Sequence, residues 1–180
     1  MKSLILSEIN EINFNDNETY IIIDKFHENF YSKKINKSQL QFYNPNIVGK
    51  VEKNKSFDFC DKIYGSILKD ISIELNKLHN CSLSQKSWEI IFSNWLRYFI
   101  WICYERYTSL NKIIDNIKIK EIFVKKNDNF EFQSEDTRFY RSSYDDEWNS
   151  NLYYKILIYL NINNLRTHNS SSTKIKNVEN

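Results

Sequence analysis

The chain has 180 residues, enough for one domain with a sizeable core, and its 41% hydrophobic and 27% charged content excludes wholesale disorder. With 25 basic against 23 acidic residues the net charge is only +2, which offers no electrostatic footprint for nucleic acid, and no nucleic-acid partner is expected. Only 2 Gly and 1 Pro are present, too few to favour a glycine-rich phosphate loop.

At the amino terminus, MKSLILSEINEI lacks the apolar h-region and small-residue cleavage site of a signal peptide. Residues 1–12 carry Leu4, Ile5, Leu6, Ile9 and Ile12, a pattern compatible with a helix or an extended segment. After the polar turn 13–18, Tyr20-Ile21-Ile22-Ile23-Asp24 reads as a buried strand ending in an acid. The carboxyl end of such a strand faces the ligand crevice of an open α/β sheet, which puts Asp24, Lys25, His27 and Glu28 there. An ordinary strand-to-loop exit is the competing reading. Asp24 is a candidate substrate-binding residue.

Residues 29–57 are polar, with a turn at Asn44-Pro45-Asn46. From Asp58 to His79, Ile63, Ile67, Ile71, Leu75 and Leu78 recur at helical steps, and Asn80-Cys81-Ser82 breaks the pattern. A second helix is predicted over 85–116, with Ser84 as its cap. Trp88, Phe92, Trp95, Phe99 and Ile102 line one side, while Leu96, Ile100 and Tyr104 are apolar on the other. A helix apolar nearly all round is expected to be central. Arg97 and Arg106 on it either reach the surface or pair with acids such as Glu105, or one of them projects into a cleft to bind an anion through the guanidinium fork.

Lys118 to Val124 reads as a second strand and residues 125–143 as a polar excursion. Asp145-Asp146-Glu147 opens a helix in which Trp148, Leu152, Ile156, Tyr159 and Leu160 follow at helical spacing, and acids there complement the helix dipole. Residues 161–180, rich in Asn, Ser, Thr and Lys, read as a disordered tail behind an α/β region over 1–160 with few strands.

No Walker loop, Rossmann fingerprint, GxSxG or HExxH is present. His27, His79 and His168 lie far apart, none beside a convincing nucleophile or acid pair. The three cysteines, Cys60, Cys81 and Cys103, lack CxxC spacing, and Cys81 near His79 has no second ligand pair, so no metal or cofactor is expected. The longest apolar run, Tyr98 to Tyr104, is far short of the ~20 residues of a membrane span. A cytoplasmic location is expected.

Glu74-Leu75-Asn76-Lys77-Leu78-His79, Ser84, Trp88-Glu89, Trp95-Leu96 and Tyr104-Glu105-Arg106, followed by Asp146-Glu147-Trp148-Asn149, form an ordered series across residues 18–160. This series resembles the N-terminal region of a transferase family found in O-antigen and other surface-polysaccharide gene clusters. Lys25-Phe26-His27 and Ser93-Asn94 depart from that family's pattern. The resemblance implies an α/β fold, a small partial sheet with a central aromatic-rich helix, like the N-terminal part of a two-domain glycosyltransferase. It implies His79, Arg106 and Asp146 as catalytic groups, with His79 or Asp146 as base and Arg106 binding an anion. Arg97, Glu105 and Asn149 would bind substrate.

The family's longer members imply that this chain is an N-terminal portion, inactive alone. A separate C-terminal half would complete it, with nucleotide-sugar and glycan substrates. A non-catalytic interaction subunit, or the remnant of a split transferase, is the alternative.

Overall fold

The computed structural model describes residues 1–23, 25–44, 50–130, 139 and 143–169. The chain divides into two compact units, one built from Met1–Asn44, Ile114–Phe132 and Tyr144–Asn180, the other from Pro45–Ile113 and Gln133–Ser143.

The first unit is an α/β layer structure. Its strands are β1 (Lys2–Ile5), β2 (Thr19–Ile22), β3 (Leu40–Phe42), β4 (Ile119–Lys126) and β5 (Leu165–Asn169). They form one sheet in the order β3-β2-β1-β4-β5, and every pairing is parallel. The segment left open between helix and strand at residues 1–12 is therefore a strand at its start, and it occupies the centre of the sheet. Leu4, Ile5, Ile21 and Ile22 are fully buried, as expected where both faces of a parallel sheet are covered.

Successive side chains alternate between the faces. Ile5, Tyr20 and Ile22 pack with Ile9, Ile12, Tyr31 and Ile35, and Phe123 joins them. Helix α1 (Lys25–Tyr31) packs against β2 and β3 on that account. Leu4, Ile21, Ile122 and Val124 have the opposite parity and are equally buried. A later helix, Asp146–Tyr159, packs against β4 and buries Trp148, Leu152, Tyr153, Ile156 and Leu157.

The second unit is a helical hairpin of α2 (Lys50–Leu78) and α3 (Gln85–Asn116), the latter passing into the first unit at its carboxyl end; the helix Asp146–Tyr159 is α4. Contacts of Asn76 with Trp88, Tyr64 with Arg97 and Phe57 with Trp101 show that α2 and α3 run antiparallel. Their shared core is Cys60, Tyr64, Leu68, Leu96 and Ile100. At the turn, Asn80 takes φ 48, and Cys81 N–H bonds Asn76 O while Asn80 N–H bonds Lys77 O, a Schellman closure. The Asn76 side chain then accepts from Leu83 N–H and Trp88 Nε1, both at 3.0 Å.

Three sequence expectations change. The expected two strands become five among the described residues, because β1, β3 and β5 are short and carry little periodic signal. Residues 165–169, expected in a disordered tail, form edge strand β5, held in register on β4 and by Asn164 Nδ2 donating to the carbonyls of Ile119 and Lys120. The aromatic helix is not enclosed all round, since Ile90 is 78% and Ile91 60% exposed; Leu96 and Ile100 are the buried residues of it that pack with the α2 core.

Candidate functional site

The chain moves outward from β1 through β2 to β3, then returns to lay β4 on the other side of β1. The strand order thus reverses between β1 and β4, and open α/β sheets bind ligands at the carboxyl ends of the strands at such a point. Ser7 and Glu8 leave β1 there, Lys125 stands near the end of β4, α1 brings His27, and α4 begins with Asp146.

These groups converge on Asp146. His27 Nε2 lies 2.9 Å from Oδ1, the Glu8 backbone N–H donates to the same oxygen at 3.1 Å, and Lys125 Nζ donates to Oδ2 at 3.1 Å. Asp145 caps α4 by accepting from Glu147 N–H and Trp148 N–H, which fixes the first turn and the direction of Asp146. The β1 exit is pinned as well. Buried Ser7 accepts the Lys125 backbone N–H at its Oγ, and Tyr31 Oη donates to Ser7 O at 2.6 Å while accepting from Ile9 N–H at 2.7 Å. Burial pushes the Tyr31 phenol well above its usual range, so it acts as a fixed neutral clamp. On the far side, Asn127 N–H bonds Asn151 Oδ1 and Asn127 Nδ2 bonds Glu147 Oε1, tying the end of β4 to α4.

Burial raises the proton affinity of Asp146, but the His27 and Lys125 contacts outweigh it and hold the carboxyl below its usual range. An ionised carboxylate only accepts, so the proton in the 2.9 Å contact sits on His27 Nε2. The other ring atom, Nδ1, is buried and has no hydrogen-bond partner among the described residues. The His27 side chain is 9% exposed and Asp146 24%, so the pair stands at the rim of the layer. A carboxylate orienting an imidazole whose second nitrogen is free is the arrangement of a general base.

The expected site residues distribute unevenly. Asp146 is the hub of this cluster, and Asn149 stands a turn further along α4, its Nδ2 donating to Asp145 O. Asp24 lies outside the described residues. The others belong to the helical hairpin. His79 is exposed at the end of α2 with its ring 5.9 Å from that of Trp88. Arg97 pairs with Asp61 at 2.6 Å and lies over the Tyr64 ring, and Arg106 contacts its neighbour Glu105 at 3.0 Å. Trp88 and Trp148 are buried in cores.

His27 meets an acid, Asp146, that lies 119 positions further along the chain. His27 was legible only as a residue at the carboxyl end of a predicted strand, and Lys125 only as the first residue of a polar excursion. Among the described residues no group of three or more His, Cys, Asp or Glu side chains converges as a metal site would need.

No curated protein and no solved structure gives a significant match to this chain. A family model does, that of the LIC12162 family transferases, over residues 2–180. Since the match runs through the sheet, the hairpin and the cluster on Asp146 alike, the chain belongs to the LIC12162 transferase family.

Proposed function

We propose that His27 and Asp146 form the general-base dyad of a group transfer to an acceptor hydroxyl, and that the group is a sugar passed to a cell-surface glycan of the O-antigen type. The observation that carries this reading is the free, buried Nδ1 of an imidazole oriented by an ionised carboxylate at the strand reversal. His27 Nδ1 takes the acceptor proton as the bond between the acceptor oxygen and the sugar forms and the bond between the sugar and the donor's phosphate oxygen breaks; the nucleotide phosphate leaves with the bonding pair, and Asp146 stabilises the resulting imidazolium. Asp146 itself, with three donors on its oxygens, is an orienting group rather than the base. The nucleotide-sugar donor would be bound by a C-terminal half, as the resemblance to longer transferases suggests; 2 Gly in this chain are consistent with phosphate recognition lying elsewhere.

The test is transfer from nucleotide sugars to isolated glycan acceptors, with a C-terminal half supplied. His27→Gln should lower turnover by about a hundredfold or more with little change in KM. Unchanged turnover would sink the dyad. His79→Ala and Arg106→Ala in the same assay decide whether the groups implied by the resemblance take part.

A second reading, a non-catalytic interaction subunit, draws support from apolar side chains exposed on the hairpin: Leu78 at 76%, Ile90 at 78% and Ile91 at 60%. Transfer activity that depends on His27 would dismiss it.

A further inference from the structure

Lys125 has no role in the base step as just described, yet its backbone and its side chain are both fixed. Its N–H bonds buried Ser7 Oγ at 2.9 Å, and its ammonium bonds Asp146 Oδ2 at 3.1 Å, on the oxygen that His27 does not use. A carboxylate 2.9 Å from an imidazole favours the imidazolium, which carries a proton on both nitrogens and can accept none. We infer that Lys125 is a positioning residue that keeps His27 neutral, by engaging the Asp146 charge from the opposite side and leaving the Nδ1 lone pair free.

This rests on the reading of His27 as base. The chain Lys125–Asp146–His27 is neutral overall with the imidazole uncharged, and gains a net positive charge if the ring is protonated. Among the described residues, the other ionisable groups on the segments that carry it are Glu8 on the β1 exit, Glu28 and Tyr31 on α1, Lys126 on β4, paired with Asp128, and Asp145 and Glu147 at the start of α4. The acids among them favour a charged ring, which makes an opposing cation necessary.

The test needs no substrate. Nitrogen NMR of the full chain at pH 7.5 reads the charge of the His27 ring, assigned by the signal lost in His27→Gln. The expected result is a neutral wild-type ring with Nδ1 unprotonated. In Lys125→Met the charged-to-neutral ratio should rise about tenfold, and in Lys125→Arg it should stay as in the wild type. Lys125→Gln gives the same reading should the methionine variant fail to fold. An equal ratio in Lys125→Met or Lys125→Gln and the wild type, or a wild-type ring already charged, overturns the inference. Full transfer activity in His27→Gln would overturn the base assignment alone, since the ring charge is measured without it.

Discussion

Glu18 is a carboxylate with 8% of its surface exposed at the amino ends of the strands, opposite to the candidate site. Burial raises its proton affinity, but bonds from Ser3 at 3.0 Å and from Lys120 and Tyr20 together bring it below its ordinary 4.5. A carboxyl lowered on folding contributes stability that is present above its unfolded value and is lost as pH falls through its folded value. Asp146, lowered from 3.8, acts in the same direction. Stability should therefore fall with acidification below about pH 4.5. Glu18→Gln should cost about 1–3 kcal/mol at pH 7 in urea unfolding, and its deficit should shrink in acid. A deficit independent of pH would show that shape, not charge, matters at this position. Periodicity marks neither carboxylate as a hub, and only the family resemblance singles out Asp146. Glu18 lay in a stretch read as a polar turn, and the acids at 145–147 were read by sequence as a helix start, which Asp145 is. Periodicity reports the face a residue occupies, whereas these partners come from strands far apart in the chain.

At the scale of elements, the signals that came through were long or strongly patterned. The aromatic stripe located α3 at 85–116, the Ile-rich run located β2, and the acidic start located α4. Edge strands β3 and β5 were not legible, because Leu40–Phe42 has three residues and Leu165–Asn169 is a mostly polar run with one side open. What delivers the chain to β5 is the end of α4. Asn161 takes φ 54, Ile162 N–H bonds Leu157 O, and Asn161 N–H bonds Ile158 O. Asn fills at this closure the role that Gly usually takes, in a chain with 2 glycines. Asn161→Gly should be neutral or slightly stabilising. Asn161→Val should cost about 1–2 kcal/mol, since branching at its Cβ crowds the backbone in the left-handed region, which the short polar Asn side chain tolerates. Thermal unfolding of the two variants measures the difference, and equal midpoints would mean that the turn relaxes to another conformation.

For the molecule as a whole, the decisive pairing is β1 with β4, which joins Lys2–Ile5 to residues 119–123 after β2, α1, β3 and both long helices have intervened. No local pattern reports a contact of that separation, which is why the strand reversal, and with it the meeting of His27 and Lys125 on Asp146, was not legible in the sequence. The same pairing sets where the sheet is firmest. β1 is hydrogen-bonded on both sides and buried on both faces, while β3 and β5 are edges. Amides at the centre should then open only with the sheet as a whole, and those at an edge by local fraying. Leu6 N–H, bonded to Phe123 O at 3.0 Å at the exit of β1, should exchange at least about tenfold more slowly than Tyr43 N–H, bonded to Ile22 O at 2.9 Å beside β3. Hydrogen exchange with residue resolution reads both. The expected order places Ser7, Glu8 and Lys125 on the most slowly opening part of the sheet, so that Asp146 and His27 meet on a rigid platform, as a base with one productive orientation requires. Equal protection at Leu6 and Tyr43 would instead mean that edge and centre open together, and the precision of the dyad would then have to come from α1 and α4 rather than from the strands beneath them.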